Sequence, residues 1–405
     1  MPSFPRQAET RSRPARPTFF LATPPASFEN QYSPPSDRPL LAFLVLLGLI
    51  SGSACSRIAP RRLSEAERRE RINRLREAAE TAGGSQVWIK APRRASPSST
   101  SPASPPTFEV LATPAAYEAV TAAIERESKE QDLEIQVREK QGEGKYRVRE
   151  LRLARDGGSV ARWRLREVRQ LRRAAIVIDD LGQDLEVARK LVRLRLPLTF
   201  SVLPHLPHST EIAEEAHRAG GEVMLHLPMQ PEPGAAAGPG SGEIKVGMRP
   251  SDLSRIIEED LASVPFSAGV NNHMGSRATA DPALMNSVMR IFAEHRLYFV
   301  DSRTTAASVA LDCARRQGLP AFYRSVFLDD TETVAYALEK LREFRRLAEE
   351  QNVALAIGHP YPTTLEALAK FSPEFDRADI ELVSASQLVR LPEVARLTPP
   401  RRAAP

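Results

Sequence analysis

The chain has 405 residues, room for two or three domains and an enzyme-sized core, and its 42% apolar content excludes a wholly disordered polymer. Two cysteines, Cys55 and Cys313, exclude a disulfide framework and a cysteine-based zinc site. The net charge of +5 is unevenly placed: residues 1–107 hold 16 Lys/Arg against 8 Asp/Glu, which leaves 40 against 43 for the rest, so no nucleic-acid-binding folded face is expected.

In chain order, an uncharged apolar run at 40–50 follows Arg6, Arg11, Arg13, Arg16 and Arg38 and precedes the small residues 51–54. This is the order of a secretory signal, and the run is short of the ~20 residues that span a bilayer core. Cys55, after Gly-Ser-Ala, is a lipidation candidate like the modified cysteine of a bacterial lipoprotein. Residues 1–55 are therefore expected to be a disordered leader carrying a signal, a lipoprotein anchor or a retained membrane anchor; a buried core segment is the alternative. The first three export the protein to the periplasm or cell envelope, and the two anchors would attach it to the membrane through its N-terminus.

Residues 56–107 divide into a charged helix and a linker. Ser64 and Glu67 form a capping-box pattern ahead of 68–79, and Gly83-Gly84 ends the helix, which reads as a solvated spacer. The Pro/Ser/Thr-rich stretch 91–107 reads as a linker. Residues 108–170 read as a small α+β accessory module, with a helix at 115–129 and strands at 133–138, 146–153 and 160–168. It contains no histidine or cysteine and is expected to be non-catalytic.

From 171 to 395 strand and helix patterns alternate, leaving 396–405 as a tail. Apolar strands are expected at 174–178, 198–203, 222–225, 268–270, 298–300, 353–357 and 380–383. Helices are expected at 184–194, 208–219, 250–264, 282–295 and 331–350. Strands apolar throughout and separated by helices point to a parallel sheet covered on both faces. The expected fold class is α/β: a distorted (β/α) barrel of about seven parallel strands, preceded by the small module. The loop 234–242 is glycine-rich but lacks the features of a phosphate loop, and reads as a flexible surface loop.

All seven histidines lie between 205 and 359. Polar residues fall where the strands end: Asp179-Asp180, His226, Asn271-Asn272-His273, Asp301-Ser302-Arg303 and His359. A (β/α) barrel gathers the C-terminal ends of its strands on one face, where active sites form. Each residue alone has a plainer reading: helix cap for the acids, rim histidine for His226 or His273, a pair with Arg303 for Asp301, a turn for His359. Five such readings at five strand ends are less economical than one pocket. His205, His208, His217 and His295 keep the plain reading. Carboxylates with imidazoles suit a divalent metal, and of two adjacent acids one can bind metal while the other takes a proton from water.

These residues resemble the NodB-homology polysaccharide deacetylases, carbohydrate esterase family four, and specifically the divergent polysaccharide deacetylases. The likeness lies in Ile-Val-Ile-Asp-Asp (176–180), Leu-Thr-Phe-Ser-Val-Leu-Pro (198–204) and Gly-Glu-Val-Met-Leu-His-Leu-Pro-Met-Gln-Pro (221–231). It continues in Gly-Val-Asn-Asn-His-Met-Gly-Ser (269–276), Phe-Val-Asp-Ser-Arg-Thr-Thr (299–305) and Ile-Gly-His-Pro (357–360). The resemblance implies Asp179 as general base, Asp180 and His226 as metal ligands and His359 as general acid, with Zn the expected divalent metal. It also implies an arginine steadying Asp179, for which Arg303 or Arg277 is the candidate, beside the strand-end Asp301. The family's second ligand histidine corresponds to Gln230 here; His273 is the candidate replacement.

The implied activity is metal-dependent removal of N-acetyl groups from a cell-envelope, peptidoglycan-like glycan. The missing histidine motivates an alternative, a degenerate barrel that binds glycan or an envelope protein partner without turnover. A metal hydrolase of another ester or amide bond is the third reading.

Overall fold

In the computed structural model, which describes residues 63–90, 105–141, 146–234, 238–391, 394 and 397, the first element is helix α1 (Glu65–Gly83). The leader, including residues 40–50 and Cys55, lies outside the described residues. Ser64 caps α1: its hydroxyl accepts from the Glu67 N–H at 3.2 Å and the Glu67 carboxylate accepts from the Ser64 N–H at 2.8 Å. The few apolar residues of α1 fall on one narrow stripe, with Ile72, Leu75 and Ala79 buried. Burying one leucine contributes roughly 1.5–3 kcal/mol, enough to hold a charged helix against its neighbours. The expectation of a solvated spacer is thus overturned.

Next come β1 (Val87–Lys90), β2 (Thr107–Ala112), α2 (Pro114–Glu130), β3 (Glu134–Gln141), β4 (Arg147–Arg155) and β5 (Gly158–Glu167). They form a sheet of order β1-β2-β5-β4-β3, in which β2 and β5 run parallel and the other pairs antiparallel. Side chains alternate across it, so Phe108, Val110, Leu151, Trp163 and Leu165 meet Leu75, Tyr117 and Val120 in one core. The module therefore takes in α1 and β1, which lie before residue 108. At four residues, β1 is too short to register as a periodic pattern.

The second sheet is built of β6 (Arg172–Leu181), β7 (Thr199–Val202), β8 (Glu222–Met229), β9 (Ser267–Met274), β10 (Tyr298–Asp301), β11 (Ala321–Tyr323), β12 (Val326–Phe327), β13 (Val353–Gly358) and β14 (Ile380–Leu382). Between them run α3 (Leu185–Arg193), α4 (Ser209–Arg218), α5 (Pro250–Ser263), α6 (Pro282–Glu294), α7 (Ala310–Arg316), α8 (Val334–Gln351) and α9 (Pro362–Arg377), with α10 (Ala385–Val389) last. The order is β11-β10-β9-β8-β7-β6-β13-β12, every pair parallel, with β14 beside the start of β6.

Strands β11 and β12 are separated only by Arg324 and Ser325. The Arg324 N–H donates to the Asp301 carbonyl at 2.9 Å, and the Ser325 N–H to the Leu355 carbonyl at 2.8 Å. One continuous segment thus hands over from β10 to β13 and joins the two ends of the curled sheet, giving a distorted barrel with seven strand positions around it. Cys313 is buried in the apolar packing of α7. Among the described residues no helix is long and apolar enough to cross a membrane.

Candidate active site

A regular strand points neighbouring residues to opposite faces, so Asp179 and Asp180 should not share a pocket. The end of β6 is not regular. Ile178 pairs with Phe200 and Leu181 with Val202, so three steps on β6 face two on β7. Asp180 absorbs the extra residue at φ +56°, a left-handed conformation that aspartate tolerates better than most residues. The bulge turns both carboxylates toward the same point.

There Asp180 Oδ1, His226 Nε2 and His273 Nδ1 form a near-equilateral triangle: 3.1 Å from Asp180 to His226, 3.0 Å from Asp180 to His273 and 3.0 Å between the imidazoles. Ligand atoms bound at roughly 2.0–2.2 Å to one ion stand about 3 Å apart, so the triangle fits a divalent metal. The His226 Nδ1–H donates to Asn271 Oδ1 at 2.8 Å, which leaves Nε2 with its lone pair toward the triangle. Asp180 Oδ1 is buried and, among the described residues, has no hydrogen-bond donor. Three acceptor atoms converge, and a cation satisfies all of them.

The electrostatics agree. Burial opposes charge on Asp180, but His226 and His273 outweigh it and hold the carboxyl well below the usual carboxylate range. Burial likewise opposes charge on His226, yet Asp179, Asp180 and Asn271 raise its pKa above the ordinary histidine value. Both shifts mark a point that favours positive charge.

Asn271 ties the site together. It faces inward from β9 opposite His226 on β8. Its Oδ1 accepts from the Ser201 hydroxyl at 2.7 Å as well as from His226, and its Nδ2 donates to Asp179 Oδ1 at 2.7 Å. Asp179 is buried, with Oδ2 left facing His226 Nε2 at 3.6 Å. His273 follows Asn271 by two residues and points the same way. Asn272, on the other face, donates to the Met274 carbonyl and accepts from the Ser302 N–H, pinning the end of β9 to the end of β10. Gly275, at φ +84°, closes against Met229, where a Cβ would come within 2.8 Å of the methionine Cβ.

Across from these, His359 Nε2 lies 3.7 Å from Asp180 Oδ2. Its Nδ1 bonds to Asp329 Oδ1 at 2.9 Å, while Asp329 Oδ2 accepts from the His359 N–H and the Thr364 hydroxyl, each at 2.6 Å. A Cβ at position 358 would stand 3.2 Å from Asp329 Oδ2, so Gly358 permits this close approach. Burial opposes charge on His359, but the Asp329 hydrogen bond, with Asp179 and Asp180, raises its pKa to about 9. Sequence reasoning missed Asp329; its one signal is an acid after the short apolar run Val326-Phe327-Leu328.

Other candidates stand apart. Asp301 is buried and accepts from the Ser308 hydroxyl and the Arg303 backbone N–H, not the Arg303 guanidinium; burial pushes its carboxyl up. Arg303 lines a small pocket with Tyr323 and Arg324, and Arg277 is exposed. The partner of Asp179 is Asn271, so neither arginine occupies the steadying position that the resemblance implied. Gln230 also faces elsewhere: its Oε1 accepts from the Val246 N–H at 3.0 Å and anchors the loop after β8.

The four remaining histidines lie outside the cluster. His208 pairs with Glu211, His217 stacks on Phe266, and His295 caps α6. His205 Nε2 bonds at 2.8 Å to the fully buried Asp260, whose pKa burial raises from 3.8 to about 7 against the opposing pull of His205. An acid raised on folding contributes stability in full below its unfolded pKa, and that contribution is lost as pH climbs from about 4 to about 7. Asp260→Asn is therefore expected to gain more melting temperature over the parent at pH 8 than at pH 4. Equal differences at both pH values in a thermal melt would contradict it.

A distorted (β/α) barrel with acids and histidines gathered at the C-terminal ends of its strands is the arrangement of the polysaccharide-deacetylase class. The chain belongs, within that class, to the divergent polysaccharide deacetylases, whose family profile matches residues 176–389. It is 35% identical over 231 residues to the uncharacterized protein YibQ of Escherichia coli (strain K12), covering 57% of this chain and 72% of that one. It is also 35% identical over 219 residues to an uncharacterized protein of Haemophilus influenzae, covering 53% and 76%. The crystal structure of uncharacterized protein ATU2773 from Agrobacterium tumefaciens C58 is similar with a TM-score of 0.51 at 26% identity, covering 54% of this chain and 89% of that one. The family match begins after the small module ends.

Proposed function

We propose that this protein is a metal-dependent deacetylase that removes N-acetyl groups from a cell-envelope glycan. The observation that carries the reading is the triangle of Asp180, His226 and His273, with the Asp179 carboxylate 3.6 Å from His226 and the His359 imidazole 3.7 Å from Asp180. A divalent metal held by those three residues, Zn by expectation, supplies Lewis-acid polarisation of the acetyl carbonyl and acidifies water.

The protein's own groups do the rest. Asp179, held through Oδ1 by Asn271, takes the proton of the attacking water on its free Oδ2. As the water oxygen bonds to the acetyl carbon and the C–N bond breaks, His359 gives its Nε2 proton to the departing amine. Asp329 keeps that imidazole oriented and charged. The products are acetate and a free amino sugar.

Because a general acid must carry its proton, acetate release is expected to fall on the alkaline side as His359 loses the proton that Asp329 helps it keep. Asp329→Asn removes the charge that raises the His359 pKa, so the descending limb moves to lower pH, and kcat drops about 10- to 100-fold. A pH–rate profile with an unmoved limb would disconnect the pair from the chemistry.

The test of the activity is metal analysis of the purified protein together with acetate release from N-acetylated peptidoglycan fragments. Bound zinc with acetate release supports the reading. Bound metal without acetate favours the glycan-binding barrel or another substrate, and neither metal nor acetate overturns the proposal. The leader, through residues 40–50 or a lipid on Cys55, would hold the protein at the envelope membrane. Fractionation of the parent and Cys55→Ala chains tests this: release of the variant supports lipidation, and retention supports the apolar run.

A further inference from the structure

Among the described residues two aromatic rings touch the His359 imidazole. Phe327 meets it edge to face, with 5.0 Å between ring centres, and carries the Arg324 guanidinium 4.8 Å over its own ring. Arg324 is in turn fixed by the Ser302 and Arg303 carbonyls, at 2.7 and 3.1 Å. Phe327 is thus engaged on both sides and serves to hold the imidazole in place. Tyr361 is less committed. Its ring lies 5.5 Å from the imidazole at a tilt of 38°. It is half-buried, and among the described residues its hydroxyl has no hydrogen-bond partner.

The backbone holds this ring stiffly. Pro360 and Pro362 flank it; each fixes its own φ, and each keeps the residue before it extended. The Tyr361 carbonyl accepts from the Leu365 N–H at 3.1 Å, which seats the residue at the entry to α9. In the first turn of that helix the Thr364 hydroxyl bonds to Asp329, and Asp329 bonds to His359. One corner of the chain therefore presents the acid and the phenol together, and a ring held so loses little freedom when a ligand covers it. Burial, with the charges of Glu332, Asp329 and Asp180, raises the phenol pKa, so the hydroxyl keeps its proton as a donor.

We propose that Tyr361 is the platform for the sugar ring whose amine is released, and that it makes the site select an N-acetylated pyranose over an acetylated lysine side chain. This rests on the deacetylase reading, which fixes where the amine departs. The nitrogen that takes the His359 proton must come within about 3 Å of Nε2. In an N-acetylated amino sugar that nitrogen is bonded directly to the pyranose ring, which therefore lies alongside the imidazole, where Tyr361 stands. The C–H face of a pyranose is flat and apolar, and it leaves water when it stacks on the phenol ring. The hydroxyls that the sugar carries supply acceptors for the phenol O–H. In acetyl-lysine a chain of methylenes fills the same place, covers less of the ring and offers no acceptor there.

The experiment compares the zinc-loaded full chain with its Tyr361→Ala, Tyr361→Phe and Tyr361→Trp variants, on the N-acetylglucosamine tetramer and on an acetyl-lysine peptide. Acetate release gives kcat and KM, and calorimetry gives the tetramer's affinity without turnover. Tyr361→Ala is expected to raise KM and Kd for the tetramer about tenfold with little change in kcat, and to lower the preference for tetramer over peptide by the same factor. Tyr361→Trp should restore most of the affinity, and Tyr361→Phe should weaken it about threefold, the share of one hydrogen bond. Parent-like zinc affinity and melting temperature in the variants show that lost binding is not lost folding. Parental KM and Kd for the tetramer in Tyr361→Ala overturn the proposal, as does an equal loss for the peptide or a parent that does not bind the tetramer. A fall in kcat with a displaced alkaline limb and an unaltered KM also overturns it, because the ring then only packs against His359. The two readings fail separately. Tetramer binding that weakens in Tyr361→Ala, without acetate release by the parent, sinks the deacetylase and keeps the platform; acetate release with equal KM does the opposite.

Discussion

Asp180→Ala is expected to remove measurable divalent-metal binding, a loss beyond the about 10- to 100-fold typical of changes around a metal's ligands. Asp180 is the anionic corner of the triangle and its Oδ1 is buried without a donor, so no other group takes over its position. Asp180→Asn is the companion variant, because asparagine also tolerates the left-handed backbone at φ +56° and removes only the charge. His226→Ala and His273→Ala should each weaken zinc binding markedly by titration calorimetry. His217→Ala should not, since that ring stacks on Phe266 away from the site. Parent-like zinc affinity in His273→Ala would strike His273 from the ligand set.

The second large effect is expected at Asn271. Replacing it by leucine leaves the Ser201 hydroxyl, the His226 Nδ1–H and Asp179 Oδ1 in the barrel interior without their partner. Each buried unsatisfied group costs about 1–3 kcal/mol, so urea unfolding should show a loss of several kcal/mol. Zinc affinity should fall about 10- to 100-fold, because nothing then fixes the His226 tautomer. Asn271→Asp separates the two roles. Its carboxylate still accepts from His226 and Ser201 but cannot donate to Asp179. Zinc binding should recover while acetate release stays low. A leucine variant that binds zinc as the parent does would refute the role given to this amide.

The residues of the site were legible from strand ends, because a parallel barrel must bring those ends to one face. Asp179, Asp180, His226, His273 and His359 were all reachable by that argument, and His273, the candidate replacement for the family's second ligand histidine, lies beside Asp180 and His226. The supporting groups were not. Asn271 sits in the same tripeptide as His273, but whether it bonds to an acid or a histidine depends on the pairing of β8 with β9. Asp329 went unmarked, since β11 and β12 are three and two residues long and too short to show a period. The stripe of Ile72, Leu75 and Ala79 was outweighed by the charge around it, so α1 was placed in solvent although it belongs to the module's core.

What the sequence determined by itself was the architecture. Apolar strands alternating with amphipathic helices can bury both sheet faces only as a parallel layer, and hydrophobic period is a local property. Atomic meeting points were decided by the tertiary structure. The bulge that turns Asp179 and Asp180 to one side, the register that sets Asn271 against His226 and the segment that closes the barrel beside Asp329 all arise from pairings between distant strands. A shift of one residue in any of them sends a side chain to the opposite face, and no local pattern encodes that choice.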